Sequence, residues 1–168
     1  MVGTSGAKLV VSPSLTEMVC ENFTIAGAVD RPGVLRAHSE PAADVDTFAA
    51  NRCWAPQWGY VQHDQVGTWK IQVTGDPVGT TWPVVVTDVL FRLAGHTVDC
   101  NYDTGGAIGG TFDTATQVFV PTSSSLTLRD VTGSDCATLD LQSGDPVSLT
   151  GTWTNVPTAG DGPLSFSH

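Results

Sequence analysis

Apolar and polar residues alternate at every second position along much of the chain, and this pattern predicts β-strands. In residues 68–74 every second side chain is apolar, beginning with Trp69. Near the C-terminus Val147, Leu149 and Trp153 share one parity, with serine and threonine between them. A period of two places such residues on one face of a half-buried strand. We therefore expect Trp153 to face the core together with Val147 and Leu149.

Several β-branched and aromatic runs add further strands, separated by glycine, proline, aspartate and serine turns. The predicted segments are 8–11, 15–29, 83–93, 97–102, 117–120 and 126–131. Residues 83–93 form a central strand or a strand with a bend, and residues 113–116 form a hairpin turn. A short helix is expected in residues 37–50, where Ser39 or Asp44 can cap a run containing alanines.

Short strands bounded by turns predict an all-β, antiparallel fold with little or no helix. A β-sandwich is the first expectation, with a barrel or two similar lobes as alternatives. The 168 residues are enough for a single β domain. Because residues 20–24 resemble residues 100–104, the domain could hold a repeat of 15–93 and 94–157. Chance similarity in threonine-rich sequence is the competing explanation.

Composition and charge limit the kinds of binding partner that we expect. The formal net charge is -10, and the seven basic residues are scattered along the chain. Phosphate backbones and anionic membrane surfaces both need clustered basic residues, so we expect no nucleic-acid partner and no membrane-surface binding. The sequence has no apolar run of about 18 residues, so we also expect no membrane insertion by a helix.

The four cysteines, Cys20, Cys53, Cys100 and Cys136, predict two disulfides and an oxidising compartment. Three pairings are possible. We favour Cys20–Cys53 and Cys100–Cys136 because both loops are then local and of similar length. Four reduced, buried thiols are the alternative. If the protein is extracellular, its signal peptide is absent from this chain, because the first residues show neither a basic nor an apolar region.

No metal site or cofactor is expected. The cysteines form no Cys-x-x-Cys pair, which argues against a structural zinc. Acidic loops leave calcium binding open, although they lack the Asp-x-Asp-x-Asp-Gly frame.

Residues 66–157 resemble small, secreted, Thr/Gly-rich, disulfide-bonded β proteins of unknown function from actinobacteria, especially streptomycetes. The resemblance lies in a tryptophan strand at 69–74, a cysteine strand at 98–100 and a glycine-rich hairpin at 109–114. It continues through the segments 125–128, 131–136, 144–145 and 149–153, and ends at Pro157. It implies a secreted, disulfide-bonded β protein and supplies no catalytic residue.

Aromatic residues are concentrated in residues 52–60, where Trp54, Trp58 and Tyr60 lie beside Cys53. Pro56 and Gly59 favour an irregular path there. Fixed aromatic side chains of this kind hold glycans or protein partners. The alternative role is a small core that seals one end of the fold. These three aromatics are the candidate ligand-contact residues.

Three functions are compatible with these features. The first expectation is a secreted, non-enzymatic protein that binds an unknown protein or glycan partner. A virion or assembly component is the second, because the chain is acidic and all-β. A small extracellular hydrolase is the third, supported weakly by His63 and Asp103 in the absence of a Gly-x-Ser-x-Gly motif.

Overall fold

The computed structural model describes residues 2–3, 7–12, 14 and 16–166, and its secondary structure there is entirely β. The first six strands are β1 (Val2–Gly3), β2 (Ala7–Val11), β3 (Thr16–Val29), β4 (Pro41–Ala55), β5 (Gly59–Gln65) and β6 (Trp69–Val73). The remaining six are β7 (Thr81–Gly95), β8 (Asn101–Asp113), β9 (Val118–Ser124), β10 (Leu126–Thr132), β11 (Pro146–Thr150) and β12 (Trp153–Thr154). All strand pairings are antiparallel, which confirms the predicted fold class. The described residues contain no helix long and apolar enough to cross a membrane.

The sheet closes into a barrel built around four long strands, β3, β4, β7 and β8. Each of these strands has 13 to 15 residues. Towards one end, β6, β9, β12 and β1 complete an eight-stranded ring with them. Towards the other end, β5, β10, β11 and β2 complete a second ring. Of the architectures that the sequence left open, the chain therefore adopts the barrel.

Local irregularities allow the long strands to pass from one ring to the other. The β7–β8 register shifts between Val86 and Val89, where Asp88 has a φ of 56°. Of the two interpretations of residues 83–93, a central strand or a strand with a bend, this irregularity favours the bend. The β3–β4 register shifts beside Gly27, where a Cβ would lie 1.8 Å from the carbonyl oxygen of Asp44. Glycine is required at this position because the neighbouring backbone approaches so closely.

Side chains fill the interior of the barrel. Trp69 and Phe112 are among the largest fully buried side chains, and Trp153 is 3% exposed, as its parity predicted. The cavities enclosed by this core are about 20 Å³ or smaller. A cavity of that size holds about one water molecule. The described interior is therefore packed, and a ligand has to bind on the outside or at an opening in the wall.

Both favoured disulfides are formed. Cys20 is bonded to Cys53, and Cys100 is bonded to Cys136. The first joins residues directly opposite each other on β3 and β4. The second ties the start of β8 to the turn that follows β10, where Asp99 accepts hydrogen bonds from Ser134.

Three local predictions are wrong. Residues 37–50 contain no helix, because β4 pairs with β3 at ten positions and this pairing outweighs the helix propensity of the alanines. Residues 97–99 form a bend, and β8 begins at Asn101. The alternating segment near the C-terminus is two strands rather than one. It breaks at Gly151, whose φ is 129°, so that β12 can pair with β9.

Candidate functional site

The β4–β5 hairpin positions the three predicted aromatic residues. Its ladder pairs Trp54 with Tyr60 and Ala55 with Gly59. Gly59 has a φ of 69°, and the Trp58 amide donates a hydrogen bond of 3.0 Å to the Ala55 carbonyl. These two features close the tight turn at residues 56–58. Since neighbouring residues of a strand point to opposite faces, Ala55 faces inward and Trp54 faces outward.

Trp54 and Tyr60 are exposed, whereas Trp58 is not. The exposed fractions of Trp54 and Tyr60 are 47% and 62%, and that of Trp58 is 1%. Thr97 donates a hydrogen bond of 2.6 Å from its hydroxyl to the Trp58 carbonyl, which fixes the turn against the loop before β8. The sequence left open whether these aromatics contact a partner or pack in the core, and Trp58 packs in the core. Trp54 and Tyr60 remain available to contact a partner.

The exposed pair belongs to a row of side chains that crosses four strands. The sheet register places Val19 opposite Trp54 and Lys8 opposite Val19. We call Lys8, Val19, Trp54 and Tyr60 the aromatic row. At one end of the row Lys8 is bound to Glu17, and beside the row Arg52 Nη1 lies 3.2 Å from Glu21 Oε2.

A second cluster lies just inside the wall behind this row. His63 Nε2 lies 3.0 Å from Met18 Sδ, and a His63 ring nitrogen and both sulfurs of the Cys20–Cys53 disulfide lie within 4.8 Å of one another. Desolvation by burial lowers the pKa of His63 to about 4, although a hydrogen bond to the Val61 backbone and the nearby Asp64 carboxylate oppose this shift. The imidazole is therefore neutral at ordinary pH.

The two weak hydrolase candidates lie on opposite faces of the wall. His63 shares the inward parity of Val61 on β5. Asp103 lies on β8 beside Arg92, the exposed residue that pairs across the ladder with it. Arg92 donates hydrogen bonds of 3.0 and 3.3 Å to the two carboxylate oxygens of Asp103. The fold therefore does not bring His63 and Asp103 together, and Asp103 has a structural partner.

The sequence pattern did not predict that Lys8 and Val19 belong to the aromatic row. It also did not predict the cluster around His63. Each depends on the register between strands, which the parity of a single strand does not reveal. Parity within 59–65 does place His63 on the same face as Val61, and this was the one signal available from sequence.

Comparison of the chain with protein-family models, with curated proteins and with solved structures finds no match. Evidence on function therefore comes from the geometry of the described residues.

Proposed function

We propose that this protein is a secreted, non-enzymatic binding protein that contacts a protein or glycan partner through the aromatic row. One observation carries the proposal. Trp54 and Tyr60 are exposed by 47% and 62% and lie directly opposite each other on a tight hairpin. The disulfide at Cys53 lies one residue before Trp54 and ties this hairpin to β3.

The energetics of exposed aromatic side chains favour a contact role. A tryptophan and a tyrosine bury a large apolar area on binding and lose few rotamers in doing so. Residues of these two types are enriched among those that dominate binding energy. The ion pairs beside the row resemble the polar rim that surrounds such anchors in protein interfaces.

The proposed extracellular location and the proposed lack of enzymatic activity are supported by different features. Two disulfides are consistent with an extracellular or otherwise oxidising environment. The resemblance to secreted actinobacterial β proteins supports the extracellular location. The absence of enzymatic activity is part of the proposal, which rests on the resemblance and on the separation of His63 from Asp103.

The test compares the wild-type chain with a Trp54→Ala/Tyr60→Ala variant in two capture assays. One assay is a glycan array, and the other is a pull-down from the culture medium of the producing cells. The variant is expected to lose at least about 90% of the captured signal, since two central aromatic anchors commonly supply several kcal/mol of binding energy. Its melting temperature should stay close to that of the wild-type chain, because both side chains are exposed.

Leu35→Ala serves as the matched control, because Leu35 is 81% exposed and lies in the loop between β3 and β4. This variant should retain capture. Equal capture by the double variant and the wild-type chain would exclude the aromatic row as the binding surface. Loss confined to the glycan array identifies a glycan partner, and loss confined to the pull-down identifies a protein partner.

A further inference from the structure

Four potential metal ligands converge in the cluster behind the aromatic row. Met18 and Cys20 lie two residues apart on β3, Cys53 lies opposite Cys20 on β4, and His63 lies on β5. The two cysteine sulfurs and a His63 ring nitrogen lie within 4.8 Å of one another. The Met18 thioether is 3.0 Å from His63 Nε2. Three strands thus bring two cysteines and one imidazole close together, with the Met18 thioether in contact with the imidazole.

Strand pairing holds these groups together independently of the S–S bond. Ten residue pairs join β3 to β4, including Val19 with Trp54 on one side of Cys20–Cys53 and Asn22 with Asn51 on the other. Hydrogen bonds between strands do not depend on the oxidation state of a side chain. After reduction the two thiols therefore remain directly opposite each other, next to His63.

The cluster lies where the described ladder between β4 and β5 ends. In the described chain the β4–β5 ladder consists of Trp54 with Tyr60 and Ala55 with Gly59. Beyond Tyr60 the two strands diverge, and β4 pairs with β6 instead, from Pro41 to Val45. His63 lies on the part of β5 beyond this ladder and is half-buried, whereas both cysteines of the disulfide are buried.

We propose that reduction of the Cys20–Cys53 disulfide creates a Cu(I) site with Cys20, Cys53 and His63 as ligands and the Met18 thioether as a fourth. A dithiol reductant supplies two electrons and two protons, becomes a cyclic disulfide and leaves two cysteine thiols. Cu(I) then forms bonds to both sulfurs and to one imidazole nitrogen, and the two thiol protons pass to the solvent. The metal keeps its oxidation state throughout.

The donor set selects this ion. Soft thiolate and thioether ligands favour Cu(I), whereas Mg²⁺ and Ca²⁺ require oxygen ligands. Zinc shares the thiolate and imidazole ligands, but a thioether is a poor ligand for it. The position of Met18 beside the His63 nitrogen therefore distinguishes Cu(I) from zinc. While the disulfide is intact, neither sulfur is a thiolate that can bind the metal. The site therefore exists only when Cys20 and Cys53 are reduced.

The experiment measures Cu(I) affinity in the full chain. The protein is reduced anaerobically with dithiothreitol, desalted and titrated against bathocuproine disulfonate, which competes for Cu(I) and reports it by colour. The reduced wild-type chain should bind one Cu(I) tightly through this site, and the oxidised chain should not. His63→Gln should weaken this tightest binding by at least about tenfold, in the range found for disturbed metal sites, and Met18→Leu by several-fold.

Control variants distinguish Cu(I) binding at the proposed site from Cu(I) binding by any pair of thiols. His38→Gln removes an exposed histidine that pairs with Asp76, and it should leave the affinity unchanged. A Cys100→Ser/Cys136→Ser variant should keep the tight site, whereas Cys20→Ser/Cys53→Ser should lose it. X-ray absorption of the loaded chain should show sulfur ligands and one nitrogen ligand that disappears in His63→Gln.

Wild-type affinity in both His63→Gln and Met18→Leu would overturn the proposal, because any pair of thiols would then explain the binding. These two variants keep all four cysteines and decide the question even if a cysteine variant fails to fold. Absence of tight binding in the reduced wild-type chain would also overturn it.

Discussion

Trp58 packs edge-on against Tyr102, with ring centroids 5.2 Å apart and planes inclined by 78°. Both side chains are buried, with 1% and 4% exposed. The contact joins the β4–β5 turn to β8 on the far side of β7. Trp58 therefore closes one end of the barrel, and two residues further along the same hairpin Tyr60 is exposed to solvent.

Because of this contact, we expect Trp58 to stabilise the folded chain. Trp58→Ala should lower the free energy of unfolding by about 3–5 kcal/mol, as for other large-to-small changes at buried aromatic positions. Trp54→Ala should cost less than about 1 kcal/mol, because a half-exposed side chain leaves no buried cavity. Urea unfolding followed by circular dichroism measures both. Similar losses in the two variants would show that the hairpin is not oriented as described.

Removal of the second disulfide should destabilise the barrel without changing its fold. A Cys100→Ser/Cys136→Ser variant loses a link across 36 residues, for which about 2–5 kcal/mol is typical. The start of β8 keeps its pairing with β7 and β10, so far-ultraviolet circular dichroism should be unchanged. Thermal unfolding of the oxidised wild-type chain, the variant and the reduced wild-type chain provides the comparison. An unchanged melting temperature in the variant would contradict this expectation.

Gly27 should tolerate no larger residue. A Cβ there would lie 1.8 Å from the backbone oxygen of Asp44, and backbone cannot move aside as a flexible side chain can. Gly27→Ala should therefore cost at least about 1–3 kcal/mol, the range for overpacking. Gly162→Ala is the control, since a Cβ at Gly162 meets nothing within 4 Å. Equal urea midpoints for the two variants would show that the β3–β4 approach is less close than described.

Periodicity predicted the parts of the fold that depend on single strands. Trp69 was placed on the buried face from parity, and it is 2% exposed. Trp153 is also buried, at 3% exposed, although the strand that carried its parity breaks at Gly151 and Trp153 pairs with Phe119 instead. Closure of the barrel could not be predicted in the same way. It depends on pairings between strands distant in sequence, such as Val147 with Val11. Local propensity misled at residues 37–50, where long-range pairing with β3 decides the conformation.

The candidate site could likewise be predicted only in part, because turns and strand pairing decide its geometry. Composition identified the cluster of Trp54, Trp58 and Tyr60, but the turn at 56–58 decides which of them is buried. A residue in a turn follows no strand parity, so sequence offered no way to separate Trp58 from Trp54. The cluster around His63 needs residues from three strands, and no spacing along the chain reveals it.

The buried imidazole of His63 should make the oxidised chain less stable in acid. Its pKa in the folded chain is about 4, against an ordinary value of 6.5. Between these two values the unfolded chain binds a proton that the folded chain does not, so stability is retained above pH 6.5 and falls as the pH is lowered towards 4. Full burial would make this loss about 3 kcal/mol, and partial exposure of the ring reduces it to about 1–2 kcal/mol.

The measurement compares urea unfolding of the wild-type chain and His63→Gln from pH 7.5 to 4. The charged group that acts on His63 is Asp64 on its own strand, and Arg92 lies opposite Asp64 on β7. Both remain in the variant, so the titration of Asp64 largely cancels in the difference. The stability of the wild-type chain should fall relative to that of His63→Gln as the pH is lowered. His38→Gln, which removes an exposed histidine, should parallel the wild-type chain. Parallel curves for His63→Gln and the wild-type chain would mean that His63 is hydrated in the folded protein.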